Sequence, residues 1–408
     1  MTSTTKKISI DELMPGMYVE DVLNEKGLLL YNANTVVIDM SQVQKLRNHG
    51  VREVCINTAL SETGSKQKEK KPSEIDLSTS FFDGLTICDF SKDYKKEINK
   101  AQMLKSRTTT LLKNCMLAAQ CGNSVSASSI EMAISVLAQE VVTNQDVFFA
   151  MCRLQSNDDP IYVHSVNVAI MSAALAHSMN LSKEAVVECA VGALLHDIGK
   201  IRFPEEFRKK TGSFTKAEYD AIKQHPSLGV ELLDETGVFS SVCKSIVMQH
   251  HERWNGGGYP EGISKENIMV PAMICALSDT YDNLTTKTEN RRECLPQEAM
   301  ALIFQGVDEE YPPYMVDAFI RLMGIYPVGS FVKLKSGEVG MVVKNDHNNL
   351  MAPVVIMCFD KKTECLKKPF MRNLASNRKD SLPPPWKIDS IVNPSEFGIN
   401  VNSVLNSI

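Results

Sequence analysis

Seven residues of this chain have the types and the spacing to do chemistry together. Of its eight histidines, six fall in one span: His164, His177, His196, His225, His250 and His251. The centre of that span is His196-Asp197, which follows the apolar run Val191 to Leu195 and precedes Ile198-Gly199-Lys200. A neutral imidazole beside a carboxylate can hold a divalent cation, and the carboxylate can bridge two. Gly199 allows a tight turn, and Lys200 sets a fixed positive charge beside the pair. His164 precedes Ser165 and Asn167, His225 precedes Pro226, and His250-His251 leads into Glu252-Arg253. Asp279 lies inside the apolar run Ala272 to Leu284, where a carboxylate needs a cation or a dense set of hydrogen bonds. A single helical histidine is usually an ordinary structural residue, and His177, more than three turns from His164, is read that way. His164, His196, Asp197, His225, His250, His251 and Asp279 together supply enough nitrogen and oxygen ligands for two metal ions. Without thiolates, the set suits iron or manganese, with zinc, nickel or magnesium as further choices, and not an iron–sulfur cluster.

These residues need helices to carry them, and from Tyr162 to about Met323 the pattern is nearly all helical. Val166, Val168, Ile170, Met171, Ala174 and Leu175 give one apolar face. Ser182 is an N-cap for the helix that ends at His196-Asp197, and Thr215 caps another through Lys223. Pro226 suits the first turn of a helix opened by His225, and Pro271 starts one through Leu284. Gly256, Gly257 and Gly258 break the pattern and let backbone approach a ligand closely.

The flanks differ. Residues 1–60 read as a small β-rich module, with strands at Ile8–Ile10, Tyr18–Val19, Leu28–Tyr31, Thr35–Ile38 and Val51–Ile56 and a short helix from Ser41 to Leu46. Residues 61–92 read as a solvated linker. Residues 93–145 are helical, a dimerising stalk or one wall of the bundle, which makes a homodimer an expectation. After the helical domain at 146–325, the period changes to two and residues 326–375 read as a small β module, with Ser336-Gly337 at a hairpin turn. Residues 376–408, with Pro383-Pro384-Pro385, read as a weakly ordered tail. The architecture is multidomain: an all-α core flanked by small β modules.

Composition sets the frame. Hydrophobic residues make up 43% and charged residues 23%, as in globular proteins in water. No apolar run approaches the roughly 18 residues of a membrane helix. Eleven cysteines, an odd number with no CxxC pair, fit a reducing cytoplasm. A net charge of -5 argues against a nucleic-acid polymer as partner. It leaves room for a small anion, because a metal site brings its own positive charge.

The chain resembles HD-GYP domains, the bacterial branch of the HD-domain phosphohydrolases, over residues 146–325. The matching residues are His164-Ser165-x-Asn167, His196-Asp197-Ile198-Gly199-Lys200, His225-Pro226-x-x-Gly229, His250-His251-Glu252-Arg253, Gly256-x-Gly258-Tyr259-Pro260 and Asp279-x-Tyr281-Asp282. The first sixty residues resemble the small domain that often precedes it. The resemblance implies an HD-type helical bundle and metal-dependent hydrolysis of cyclic di-GMP to the linear dinucleotide pGpG, to GMP, or to both. It places His164, His196, Asp197 and Asp279 on one metal, with Asp197 bridging to a second held by His225, His250 and His251. Asp197 and Lys200 would be the catalytic pair, Lys200 facing a phosphate oxygen. Arg253, Gly258, Tyr259 and Arg291 would line the substrate pocket, and the Gly-Tyr-Pro loop would meet a partner such as a diguanylate cyclase.

The sequence also departs from the family. Pro160 stands where some members carry a glutamate for a third metal, so two ions are expected. Thr288-Glu289-Asn290-Arg291 replaces Arg-Pro-Tyr-Arg, and Asn255 replaces an aspartate; both changes bear on substrate affinity or on which cyclic dinucleotide is preferred. They leave open a cyclic-dinucleotide receptor with little turnover, or a different HD-type reaction, as alternatives to the phosphodiesterase.

Overall fold

The computed structural model describes residues 5–14, 17–23, 29–36, 40, 43, 53–57, 87–154, 158–208, 210, 215–286, 293–346, 349–362, 364–375, 386–398 and 404. The chain divides into two compact units, Met1–Gly84 and Leu85–Ile408.

The first unit holds one antiparallel sheet of β1 (Thr5–Ser9), β2 (Tyr18–Leu23), β3 (Leu29–Val36) and β4 (Glu53–Asn57), in the order β1-β4-β2-β3. Ile8, Ile10, Leu13, Val19, Val43, Val54 and Ile56 form its core. The two strands expected at 28–31 and 35–38 are one strand, β3, paired with β2 from Leu29 to Val36 with two shifts of register. The register shifts between Val19↔Thr35 and Asp21↔Asn32, so the strand continues past Ala33 and Asn34 through an irregularity in the ladder. The helix expected over 41–46 lies outside the described residues except Val43, as do His49 and His347.

The second unit is a helical bundle with a sheet against it. Its helices are α1 (Ile87–Gln120), α2 (Ala127–Thr143), α3 (Gln145–Cys152), α4 (Pro160–Ser178), α5 (Lys183–Leu195), the short α6 (Glu205–Arg208), α7 (Lys216–Ile222), α8 (His225–Thr236), α9 (Ser241–Gln249), α10 (Val270–Thr285), α11 (Pro296–Gln305) and α12 (Pro313–Met323). Helix α1 starts within the stretch read as linker. Among the described residues no helix is long and apolar enough to cross a membrane.

Helix α4 is buried continuously from Ser165 to Ala176, and α5 from Cys189 to Leu195. A helix covered on every side must lie inside the bundle, and these two pack against each other at its centre. Asp159 caps α4 by accepting from the Ile161 amide, with Pro160 in the first turn where a proline costs no hydrogen bond. Ser182 caps α5 and Thr215 caps α7, the latter as a full capping box with Glu218. Helices α1 and α2 share the same apolar core, so they are a wall of the bundle. Lys105 on α1 is 9% exposed, and its ammonium donates to the Met151 carbonyl at the end of α3 at 2.7 Å.

The C-terminal sheet is antiparallel: β5 (Phe331–Leu334), β6 (Val339–Lys344), β7 (Val354–Phe359), β8 (Cys365–Asn373) and β9 (Ile388–Val392), in the order β8-β7-β6-β5-β9. Its alternation puts Met341, Val343, Val354, Ile356 and Cys358 into the helical core, and Val332, Val342, Val355 and Met357 into a second cluster. Within the stretch read as a weakly ordered tail, the described residues 386–398 hold β9, which pairs with β5 from Phe331↔Val392 to Leu334↔Ile388. Strand β9 is short and only half apolar, and its partner strand, not its own pattern, defines it.

Candidate metal centre

The ends of α5, α8 and α9 and the flanks of α4 and α10 meet at one point. His196 closes α5, Asp197 follows in the turn before a 3-10 segment at Ile198–Arg202, His225 opens α8, and His250 closes α9. The turn is held against α8 by the lack of a side chain at Gly199. A methyl there would collide with the His225 carbonyl oxygen and stand 2.5 Å from the Gly229 nitrogen.

Three imidazoles are oriented the same way. Nδ1 of His196 lies 2.7 Å from the Ala193 carbonyl, Nδ1 of His225 lies 2.7 Å from that of Ile222, and Nδ1 of His250 lies 2.9 Å from that of Val247. A carbonyl only accepts, so each Nδ1 carries a proton, and in the neutral ring each Nε2 then presents a lone pair inward. Nε2 of His225 and Nε2 of His250 are 3.2 Å apart, and Asp197 Oδ1 lies 3.2 Å from the former and 3.9 Å from the latter. His196 Nε2 and Asp197 Oδ1 are buried without a hydrogen-bond partner. Converging lone pairs and an orphaned carboxylate oxygen in a dry site repel one another unless a cation sits among them. The residues present therefore fit a bound metal.

Two groups of ligand atoms each lie within 4.8 Å: Asp197, His225, His250 and His251, and His164, His196 and Asp279. Asp197 also reaches the second group, its Oδ2 lying 3.3 Å from His196 Nε2. All seven residues predicted as ligands are thus brought together.

The electrostatics agree with the geometry. Burial, reinforced by the neighbouring His251, His196 and His225, holds His250 well below the usual histidine range, and burial brings His251 down to about 3 against the pull of Asp279. Both are neutral imidazoles at neutral pH. Burial would raise Asp197, but His196, Lys200 and the imidazole contacts keep it well below the carboxylate range. Burial opposes protonation of His164 as well, yet hydrogen bonds to Asp279 and Asp282 carry it up to about 10. Its Nε2 lies 2.9 Å from Asp279 and its Nδ1 2.7 Å from Asp282, so a metal at Nε2 would displace a proton.

Lys200 donates to Asp197 Oδ2 at 2.5 Å and is 35% exposed, which leaves it beside the centre and open to a ligand. Tyr259 stacks on His251 with ring centroids 4.6 Å apart. Arg253 turns away: its Nε lies 3.4 Å from Glu310, and its guanidinium lies over the Tyr311 ring. Gly258 is required by packing, since a Cβ there would stand 2.5 Å from the Arg253 nitrogen and the His251 oxygen. Asn255 accepts from the Gly257 amide and donates to Glu309, a bond that an aspartate could not make. Arg291, with Thr288, Glu289 and Asn290, lies outside the described residues.

Four supporting residues, Asn167, Asp282, Asn283 and Glu252, were given no role from sequence, although three of them lie in the quoted motifs. Asp282 orients His164 and accepts from Asn167 at 2.9 Å; Asn283 donates to Asp279 at 2.7 Å. Glu252, 1% exposed, accepts from the Glu261 and Gly262 amides and so ties down the Gly-Tyr-Pro loop. The signal for two of them was the i,i+3 spacing of Asp279 with Asp282 and of His164 with Asn167, which puts each pair on one helix face.

Comparison with known proteins bears out the resemblance to HD domains. Residues 141–314 match the HD domain family, and residues 5–130 match a domain of unknown function. The HD match covers less than half of the chain. The chain is 27% identical over 371 residues to a cyclic di-GMP phosphodiesterase of Pseudomonas aeruginosa, spanning 88% of this chain and 86% of that one. A cyclic di-GMP phosphodiesterase of Thermotoga maritima is 26% identical over 274 residues, 64% of this chain and 74% of that one. Among solved structures, an HDG"Y"P protein from Bdellovibrio bacteriovorus gives a TM-score of 0.44 at 18% identity, covering 77% of this chain and 98% of that one. The HD match places all seven candidate ligands inside the matched segment.

Proposed function

We propose that this HD-domain protein is a phosphodiesterase that hydrolyses cyclic di-GMP to pGpG, to GMP, or to both, with two divalent ions, iron or manganese, at the paired ligand groups. The observation that carries this reading is the inward convergence of the unprotonated Nε2 atoms of His225 and His250 on the orphaned Asp197 carboxylate. The names of the two enzymes above support the choice of substrate. The coarser statement, a divalent-metal phosphohydrolase, rests on the HD domain itself.

Bound metal would lower the pKa of a water molecule and neutralise the non-bridging oxygens of the phosphodiester. Asp197 would be the carboxylate common to both ligand groups, since one oxygen lies toward His225 and the other toward His196. Lys200 lies on Asp197 Oδ2 and can swing to a phosphate oxygen as negative charge grows there. Asp282 and the three backbone carbonyls hold the imidazoles in the one tautomer that can ligate. Tyr259 covers His251 and shields the centre from the side of the loop. A protein partner such as a diguanylate cyclase would meet the outer side of that loop, because the Tyr259 ring is committed inward.

The test is turnover of cyclic di-GMP by anaerobically purified protein loaded with iron or manganese. Hydrolysis that falls at least about a thousand-fold in Asp197→Ala, together with loss of bound metal, is the expected result. Tight nucleotide binding without turnover under either metal would instead make the chain a receptor.

A further inference from the structure

A cavity of about 290 Å³ opens beside His164 and Asp282, on the α3–α4 side of the metal centre. A pocket of this size suits a single ring system, near the lower end of the range for small ligands at about 300 Å³. Leu154, Pro160 and Val163 give it apolar walls, and Arg153, Asp158 and Glu293 give it a charged edge. Arg153 is pinned. Its guanidinium donates to the Thr285 carbonyl, its Nη2 lies 3.9 Å from Glu293 Oε2, and its Nε is buried with no hydrogen-bond partner. The Arg153 side chain is 12% exposed, whereas Glu293 is 43% exposed, so the arginine is the fixed member and the carboxylate the accessible one.

Resting on the cyclic-dinucleotide reading above, we propose that this cavity seats a guanine base, with Glu293 taking its Watson–Crick edge and Arg153 positioning Glu293. The chemistry discriminates. An ionised carboxylate only accepts, and guanine offers it two neighbouring donors, N1–H and the N2 amino group. Adenine offers one donor beside the lone pair of its N1, which faces a carboxylate oxygen unfavourably. The apolar walls take the two faces of the ring, and a phosphate attached to that nucleoside reaches toward His164.

Equilibrium titration of the full chain with GMP and with AMP tests the proposal without requiring catalysis. The wild-type protein should bind GMP at least about ten-fold more tightly than AMP. In Glu293→Gln the carboxamide presents one acceptor and one donor, the complement of adenine's edge, so the ratio should fall below about two-fold. Glu293→Asp should retain a preference for GMP. A wild-type ratio near one, or an unchanged ratio in Glu293→Gln, would overturn the base pocket. Turnover of cyclic di-GMP by the same wild-type preparation separately decides the phosphodiesterase reading.

Discussion

His164 shows how much of this site depends on residues that touch no metal. Its two ring nitrogens face Asp279 and Asp282, and only the former belongs to the ligand set. Replacing Asp282 with Asn keeps the shape but removes the charge that holds Nδ1–H. The variant should lose about 10–100-fold in metal affinity, measured by competition with a chromogenic chelator. Unchanged affinity would show that α4 packing alone orients the ring. The candidate ligands were legible because histidine is scarce in this chain and its adjacency to aspartate is local. The backbone carbonyls of Ala193, Ile222 and Val247 were not legible, because any residue type supplies a carbonyl and only the fold aims it. Arg253 was read as a substrate contact from its place after His250-His251-Glu252; its pairing with Glu310 arises across the loop, where local spacing carries no information.

At the scale of elements, the centre is a junction of helix ends, and its dimensions are set by how closely those ends approach. The contact between Gly199 and the start of α8 is backbone on backbone, with no flexible side chain to yield. Gly199→Ala should therefore cost about 3 kcal/mol or more, read as a shift in the urea midpoint, and should reduce bound metal in the protein that remains folded. A substitution tolerated with full metal content would mean that the turn can slide along α8. Removing metal from the wild type by chelation should lower the melting temperature, since the crowded lone pairs of His225 and His250 then lose their cation. An unchanged melt would show that solvent or protons relieve that repulsion. Helix boundaries were well anticipated where a cap marks them, as at Ser182 and Thr215. They were less so at α1, which starts at Ile87, ahead of the position near Asp93 read from the sequence.

At the scale of the whole molecule, the C-terminal sheet is part of the catalytic unit's core. Met341, Val343, Val354 and Ile356 are buried with the helices, and Tyr94 of α1 donates to the Val343 carbonyl at 3.4 Å. Burial of such side chains stabilises by about 1.5–3 kcal/mol each, against a total stability of about 5–15 kcal/mol for a typical domain. A chain cut after Val328 should lose its cooperative thermal transition by calorimetry; a sharp melt would show that the helices fold alone. Period-two alternation exposed β5, β6 and β7 in the sequence, but not that one face of them belongs to the bundle. That face is apolar either way, and pattern alone does not name its partner.

Lys105 carries a consequence of another kind. Its ammonium is hidden between α1 and the end of α3, and burial lowers its pKa. Acylating reagents need the neutral amine but also physical access, and the closed bundle denies access. The rate at which Lys105 acquires a label, compared with that of exposed lysines on the same helix such as Lys100, is therefore a clock for the lifting of α1 from the bundle. Because α3 runs into the Arg153 edge of the cavity, a ligand that slows this clock would report its own arrival from a residue it never touches.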